Sequence, residues 1–163
     1  MAIRLIREEG DEILKKKSKP VNKITDRIKE LLGDMVETMD DNDGVGLAAV
    51  QVGVLRRMIT VRLGEELYKL INPVILSEEG EAEAYEGCLS VPGRHMVVKR
   101  PQKVVLEALD ENGEQVTIEA EGHLARAFCH EVDHLDGTLF LAKADYDQPV
   151  LYPKAEAESE EES

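Results

Sequence analysis

The sequence predicts a single α+β domain in which antiparallel β-sheets pack around a C-terminal helix, with a second helix near the N-terminus. Three observations lead to this fold class. The 163 residues fit one domain better than two. Helical periodicity of apolar residues occurs near each end of the chain, and the middle contains β-like runs separated by short turns. Helices segregated from a run of hairpins are typical of α+β proteins.

The N-terminal helix is predicted over residues 25–39. Thr25 is a suitable N-cap, because its hydroxyl can accept a hydrogen bond from the first turn. Apolar side chains then recur at helical spacing, at Ile28, Leu31, Leu32, Met35 and Met39. The polar run DDNDG at residues 40–44 ends the helix.

The middle of the chain contains two predicted hairpins. Their β-like runs cover residues 57–63, 67–71, 104–109 and 115–120. The first pair is separated by the Gly-Glu turn at 64–65, and the second by Asp-Glu-Asn-Gly at 110–113. Short polar turns that contain glycine favour antiparallel pairing of the flanking strands.

The C-terminal helix is predicted over residues 122–135. Four apolar residues are expected on its buried side, namely Leu124, Ala127, Phe128 and Leu135. Gly137 follows at the position where a glycine commonly ends a helix.

Charge and composition exclude several classes of function. The formal net charge is −14, with 34 acidic against 20 basic residues, which argues against nucleic-acid binding and against docking on an anionic membrane. The longest uncharged stretch, residues 44–55, is shorter than the roughly 20 residues of a membrane-spanning helix. The N-terminus lacks the apolar segment of a signal peptide, and two cysteines do not make a disulfide scaffold. We therefore expect a soluble cytoplasmic protein.

The last residues differ in composition from the rest of the chain. Residues 154–163 contain five glutamates and one lysine. Acidic ends of this kind are usually solvated and disordered. We predict one catalytic domain over residues 1–148 and an acidic, disordered tail over residues 149–163.

The strongest chemical signal is the sequence HEVDH at residues 130–134, which lies on the predicted C-terminal helix. Residues four apart lie on one face of a helix, so the imidazoles of His130 and His134 can bind the same cation. Glu131 lies about 100° around the helix from His130, where a carboxylate can reach a water on the metal. This HExxH pattern is typical of metal-assisted hydrolysis.

A catalytic metal needs a third protein ligand, and the spacing alone leaves that residue open. Phe140 occupies the position at which one class of proteases has a third histidine, so that pattern is broken. Asp145 is one remaining candidate. Cys88, in the sequence EGCLSVP, is the other, and a set of one cysteine and two histidines favours zinc or ferrous iron.

Three sequences in order resemble the motifs of the bacterial-type peptide deformylases. These are GVGLAAVQ at residues 44–51, EGCLS at 86–90 and HEVDH at 130–134, and the resemblance extends from about Ile3 to Leu141. It implies an enzyme that removes the formyl group from the N-terminal formyl-methionine of nascent polypeptides and releases formate. The implied partners are formyl-methionyl peptides of nascent chains near the ribosome.

The resemblance also implies the metal site and the mechanism. Cys88, His130 and His134 match the three metal ligands of the family, and the implied cofactor is one divalent ion, Fe²⁺ in the cell, with Zn²⁺, Ni²⁺ or Co²⁺ as substitutes. A water on the metal is expected to attack the formyl carbon, with Glu131 first as general base and then as general acid. The Gln51 amide and the Leu89 backbone N–H match the donors to the developing oxyanion.

Further residues are assigned by their positions in the motifs. The expected substrate-binding residues, together with Leu89, are Gly44, Val45, Gly46, Gly87, Arg126 and Ala127. An extended peptide is expected to lie beside the glycine-containing segment, and the methionine side chain in an apolar pocket. Glu86 and Arg100 match an acid–base pair that supports the metal site in relatives.

Two other interpretations of the sequence stay open. One alternative is an HExxH metalloprotease with Asp145 as third ligand, and the other is an inactive relative that binds formylated peptides or a structural metal.

Some features depart from the family pattern. Cys129 precedes His130 where many relatives have glutamine, and we expect a buried thiol there. The chain after Leu141 lacks the basic helix with which some relatives dock on the ribosome, so that role is not transferred.

Overall fold

The computed structural model describes residues 2–153, which form two antiparallel sheets and two α-helices. The helices are α1 (Asp26–Asp41) and α2 (His123–Leu135). The strands are β1 (Gly46–Ala48), β2 (Met58–Leu63), β3 (Glu66–Glu79), β4 (Ala82–Cys88), β5 (Val91–Arg100), β6 (Lys103–Leu109) and β7 (Gln115–Glu121). One sheet has the order β1-β2-β3-β6-β7, and β4 and β5 form the second. The predicted α+β class is confirmed.

Both predicted hairpins are present. Strands β2 and β3 pair from Met58 opposite Ile71 to Leu63 opposite Glu66, and β6 and β7 pair from Lys103 opposite Glu121 to Leu109 opposite Gln115. The β3 strand is longer than expected, because its second half, which follows Asn72 and Pro73, continues the pairing with β6 across two bulges.

The two helices pack on opposite faces of the five-stranded sheet. Successive residues of a strand point to opposite faces, so Met58 of β2 joins the core under α1 while Ile59 joins the core under α2. The α1 core includes Leu32, Met35 and Met39, which confirms the predicted apolar stripe of that helix. Thr25 is its N-cap, and the Thr25 Oγ1 accepts a hydrogen bond from the Ile28 N–H at 3.3 Å.

The α2 helix ends where the sequence predicts. Its C-cap is Asp136, and Gly137 follows with φ +80°, a conformation that side chains other than glycine rarely adopt. The α-carbon of Gly137 also lies against the backbone of Lys15, where an added Cβ would collide with the carbonyl oxygen. This close approach fixes α2 against the N-terminal segment and so fixes the direction of the motif that α2 carries.

The segment after α2 continues along the free edge of β5. Ala144 forms a bridge with Val98, and the backbones of His95 and Leu151 exchange two hydrogen bonds of 2.7 and 2.8 Å. The Tyr85 hydroxyl donates to the Pro149 carbonyl at 3.1 Å. The first residues of the predicted tail therefore contact the domain, whereas residues 154–163 lie outside the described part of the chain. Among residues 2–153, no helix is long and apolar enough to span a membrane.

Candidate metal and catalytic site

Two turns of α2 and the end of β4 bring three metal-ligating side chains together. The Nε2 atoms of His130 and His134 are 3.2 Å apart, and the Cys88 Sγ lies 3.2 Å from the His134 Nε2. All three donor atoms lie within 4.8 Å of one another. Zinc–sulfur and zinc–nitrogen bonds are about 2.3 and 2.0 Å long, so one ion can reach all three donors. The donor set therefore fits a divalent metal such as zinc or iron.

His134 has the protonation state that a metal ligand needs. Its ring is fully buried. Burial, reinforced by the neighbouring His130, lowers the pKa of His134 well below its usual range, so the imidazole is neutral and keeps a lone pair.

The His130 ring is held by stacking, because the Phe140 ring lies against it at a centroid distance of 5.9 Å and an interplanar angle of 28°.

Cys88 is turned toward the histidines by an irregularity at the end of β4. The pairing of β4 with β5 shifts between Glu86 and Cys88, and Cys88 then lies opposite Val91. Two N–H groups face its sulfur, the Ser90 backbone N–H at 3.4 Å and the Gln51 Nε2 at 3.5 Å. Both groups can donate to the sulfur when it binds a metal as a thiolate.

Glu86 orients the His130 ring. Its Oε1 lies 2.7 Å from the His130 Nδ1, so Nδ1 donates to Glu86, while the His130 Nε2 lies 3.2 Å from the His134 Nε2. Arg100 donates to both Glu86 oxygens at 2.9 Å. Burial alone would raise the pKa of Glu86, but hydrogen bonds from Arg100 and His130 outweigh it and hold that pKa well below its usual range. Glu86 is therefore an anion at neutral pH.

Arg126 is a second cation on the same carboxylate. Its Nη1 lies 2.7 Å from the Glu86 Oε2 and also donates to the Val98 carbonyl at 2.8 Å, while Nη2 donates to the Ala82 carbonyl at 2.8 Å. The guanidinium is thus engaged in the protein, and the rest of the side chain lines the cleft beside the metal ligands.

Glu131 lies beside the ligands with a free acceptor. Its side chain is buried, and Oε1 has no hydrogen-bond partner among residues 2–153. The other oxygen lies against Gly46 of β1, where an added Cβ would collide with it. Burial raises the pKa of Glu131 to about 7. A carboxylate in this environment can accept and return a proton near neutral pH.

Gln51 is anchored at the back of the site. Its Oε1 accepts the Ala48 backbone N–H at 2.9 Å, and its Nε2 donates to the Ser90 Oγ at 3.0 Å. The side chain is buried, and Nε2 lies behind the Cys88 sulfur. The amide is therefore fixed in orientation by backbone and hydroxyl partners.

A cleft of about 590 Å³ opens above these residues. It is lined by the other residues that the motifs single out: Gly44, Val45, Gly46, Gly87, Leu89, Arg126 and Ala127. One wall is the segment leading into β1, an edge strand that pairs with β2 on one side. The other wall is the end of β4.

The structure adds residues that the motifs do not single out. Asp133, the fourth residue of HEVDH, lies 2.6 Å from the Arg100 Nη1, and Ser90 connects Gln51 to the β4–β5 turn. His95 and His123 both line the cleft. Asp145 accepts hydrogen bonds from the Asp147 backbone N–H and from Gln148. Among the described residues, the cluster of donor atoms contains Cys88 and not Asp145.

Comparison with known proteins gives the family. Residues 3–149 match the family model described as polypeptide deformylase. A peptide deformylase of Acetivibrio thermocellus is 57% identical over 143 residues, covering 88% of this chain and 84% of the relative. One of Thermoanaerobacter pseudethanolicus is 56% identical over 144 residues, covering 88% and 91%. The crystal structure of a peptide deformylase from Ehrlichia chaffeensis in complex with actinonin superposes with a TM-score of 0.87 at 39% identity, covering 90% of this chain and 91% of that chain.

These matches span both sheets, both helices and the whole cluster of ligand side chains. The chain therefore belongs to the polypeptide deformylase family, enzymes that remove the N-terminal formyl group from nascent peptides.

Proposed function

We propose that Cys88, His130 and His134 bind the catalytic metal of this deformylase and that Glu131 transfers the proton during hydrolysis. One observation carries the proposal. Three donor atoms lie within 4.8 Å of one another at the base of a cleft, beside a buried carboxylate with an unpaired oxygen. The thiolate and imidazole donors suit Fe²⁺, which we propose as the metal in the cell, as well as Zn²⁺, Ni²⁺ and Co²⁺.

Each residue then has a chemical role. A metal bound here supplies Lewis-acid polarisation of the formyl carbonyl and a hydroxide nucleophile near neutral pH. The Glu131 carboxylate accepts the proton of the attacking water and later donates it to the departing amine. The Leu89 backbone N–H and the Gln51 amide, whose Nε2 lies 3.5 Å from the Cys88 Sγ, stabilise the negative charge that develops on the formyl oxygen.

The substrate is proposed to bind as an extended strand along the cleft. Residues 44–46 present backbone groups at an edge strand, and hydrogen bonds to backbone are independent of the peptide sequence. Val45, which is 49% exposed, lies with Leu89 and Ala127 along the cleft as an apolar surface for the methionine side chain. Gly87 lies close to the His95 ring and keeps this part of the cleft open.

The cellular setting is also part of the proposal. A formylated N-terminus occurs on new polypeptides, so we place the enzyme in the cytoplasm near the ribosome, without direct nucleic-acid binding. Residues 1–148 form the catalytic domain in this proposal, and residues 149–163, which include the acidic run, add no group to the reaction.

The activity is tested by measuring formate. Protein loaded with Fe²⁺ or Ni²⁺ without oxygen is expected to release formate from a formyl-methionyl tripeptide, and removal of the metal by a chelator should abolish the release. Addition of Ni²⁺ to the stripped protein should restore it. An acetylated control peptide detects unspecific amide hydrolysis, and cleavage of internal peptide bonds would instead indicate a protease.

Gly46→Ala is expected to lower deformylase activity about 100-fold, because the new Cβ collides with the Glu131 carboxylate and displaces the proton acceptor by up to about 1 Å. Gly44→Ala is the matched comparison. Its Cβ would lie 2.7 Å from the Leu89 Cδ1, the flexible end of a side chain, so we expect a smaller loss. Both variants are assayed at equal metal content, and equal activities would contradict the assigned position of Glu131.

A further inference from the structure

A line of charged side chains connects the metal-ligand histidine to the protein surface. From the inside outward it consists of His130, Glu86, Arg100, Asp133 and Lys143, which we call the charge chain. Its successive contacts are 2.7 Å from the His130 Nδ1 to Glu86, 2.9 Å from Glu86 to Arg100, 2.6 Å from Arg100 to the Asp133 Oδ2, and 2.9 Å from that oxygen to the Lys143 Nζ.

Arg100 is the buried centre of the charge chain. The residue is 3% exposed, and its Nε and Nη2 bind Glu86 while Nη1 binds Asp133. A buried guanidinium needs acceptors on all sides, since an unpaired charge in the interior is costly. Asp133 is therefore the residue that fixes the outer side of Arg100.

The positive charge around Glu86 explains why a second carboxylate, that of Asp133, is needed. Arg100 and Arg126 both contact Glu86, so two buried cations share one anion. Asp133 takes part of the Arg100 charge, which leaves the Glu86 Oε1 a stronger acceptor for the His130 N–H. Asp133 thus affects the ring nitrogen that faces the metal, although its own side chain binds Arg100 and Lys143 and is not among the residues that line the cleft.

We propose that Asp133 is a positioning residue that, through Arg100 and Glu86, strengthens the binding of the metal by His130. The inference rests on the proposed metal site and extends it to the residue of α2 that binds the outer side of Arg100. Asp136, the next carboxylate on the helix surface, provides a contrast. It pairs with Arg57 at 3.0 Å, and neither residue belongs to the charge chain.

The test measures metal release from the loaded protein. Native protein, Asp133→Asn, Asp133→Glu and Asp136→Asn are each loaded with Co²⁺ under native conditions without oxygen, and an excess of chelator is added. Absorption spectra report both the geometry of the cobalt site and the rate at which cobalt leaves. Because the loaded protein is the starting state, a variant that unfolds only without metal is still measurable.

We expect cobalt to leave Asp133→Asn about 10-fold faster than native protein, with a shifted visible spectrum, since residues that orient a metal-bound histidine typically affect metal affinity by about 10- to 100-fold. Asp133→Glu, which keeps the charge, should stay within about 3-fold of native, and Asp136→Asn should match native in rate and spectrum.

The outcomes separate the inference from the site on which it depends. A native rate and spectrum in Asp133→Asn would overturn the positioning role, and so would an equal acceleration in Asp136→Asn. Absence of a thiolate-to-cobalt absorption band in the native protein would instead overturn the metal site itself, and the positioning role with it.

Discussion

Cys88→Ser is expected to lower deformylase activity by more than about 100-fold and to lower the amount of bound metal. A serine hydroxyl stays protonated at neutral pH and is a poor ligand, and even the partners of metal ligands change affinity or activity by about 10- to 100-fold. The cavity and the two histidines remain, so the loss reports the sulfur specifically. Formate release and metal content per chain are the measurements.

Cys129→Ser is the matched control, because Cys129 is the other cysteine of the chain. It is buried on α2, and burial raises the pKa of its thiol to about 11, so it is a neutral group outside the ligand cluster. We expect Cys129→Ser to lower the free energy of unfolding by about 1–3 kcal/mol, the cost of a buried unsatisfied hydroxyl, and to keep metal and activity. Full activity in Cys88→Ser would mean that another side chain, such as Asp145, is the third ligand.

Glu131→Gln is expected to keep the metal and to lose activity by about 10²- to 10⁴-fold, the usual contribution of a positioned general base. The substitution preserves size and shape, so the neighbouring Gly46 and the imidazoles keep their places. The amide cannot accept the proton of the attacking water. Steady-state formate release at matched metal content measures the loss, which should appear in kcat rather than in KM.

Glu37→Gln is a control for removing a carboxylate elsewhere. Glu37 lies on α1, and its Oε2 is also buried without a hydrogen-bond partner among the described residues. It is not a residue of the cleft, so we expect unchanged formate release. If Glu131→Gln were as active as Glu37→Gln, proton transfer would have to be assigned to another group.

Much of this molecule is predictable because its signals are local. The capping hydroxyl of Thr25 and the apolar stripe after it predict α1, and turn residues predict both hairpins. The spacing of His130 and His134 predicts adjacent imidazoles on any helix, whatever the rest of the fold. Each of these inferences depends on a few neighbouring residues.

The sequence is less informative where distant segments meet. The two-residue turn between β4 and β5, Leu89 and Ser90, contains no glycine, asparagine or aspartate. Strand β5 also contains a proline and a glycine near its start, so its sequence does not resemble a typical strand. The guanidinium of Arg126 contacts Glu86 and two carbonyls from strands far away in the sequence. The same is true of the Asp133–Arg100 contact, which no local pattern reveals.

The ligand cluster joins parts of the chain that otherwise belong to different sheets. Cys88 ends a strand of the two-stranded sheet, whereas α2 packs on the five-stranded one. A cation bound by all three residues cross-links the polypeptide as a disulfide does, and the loop that it closes contains β5, β6 and β7. Because the binding free energy of such a cation would add to that of folding, we expect metal depletion to lower both the turnover and the resistance of the enzyme to proteolysis.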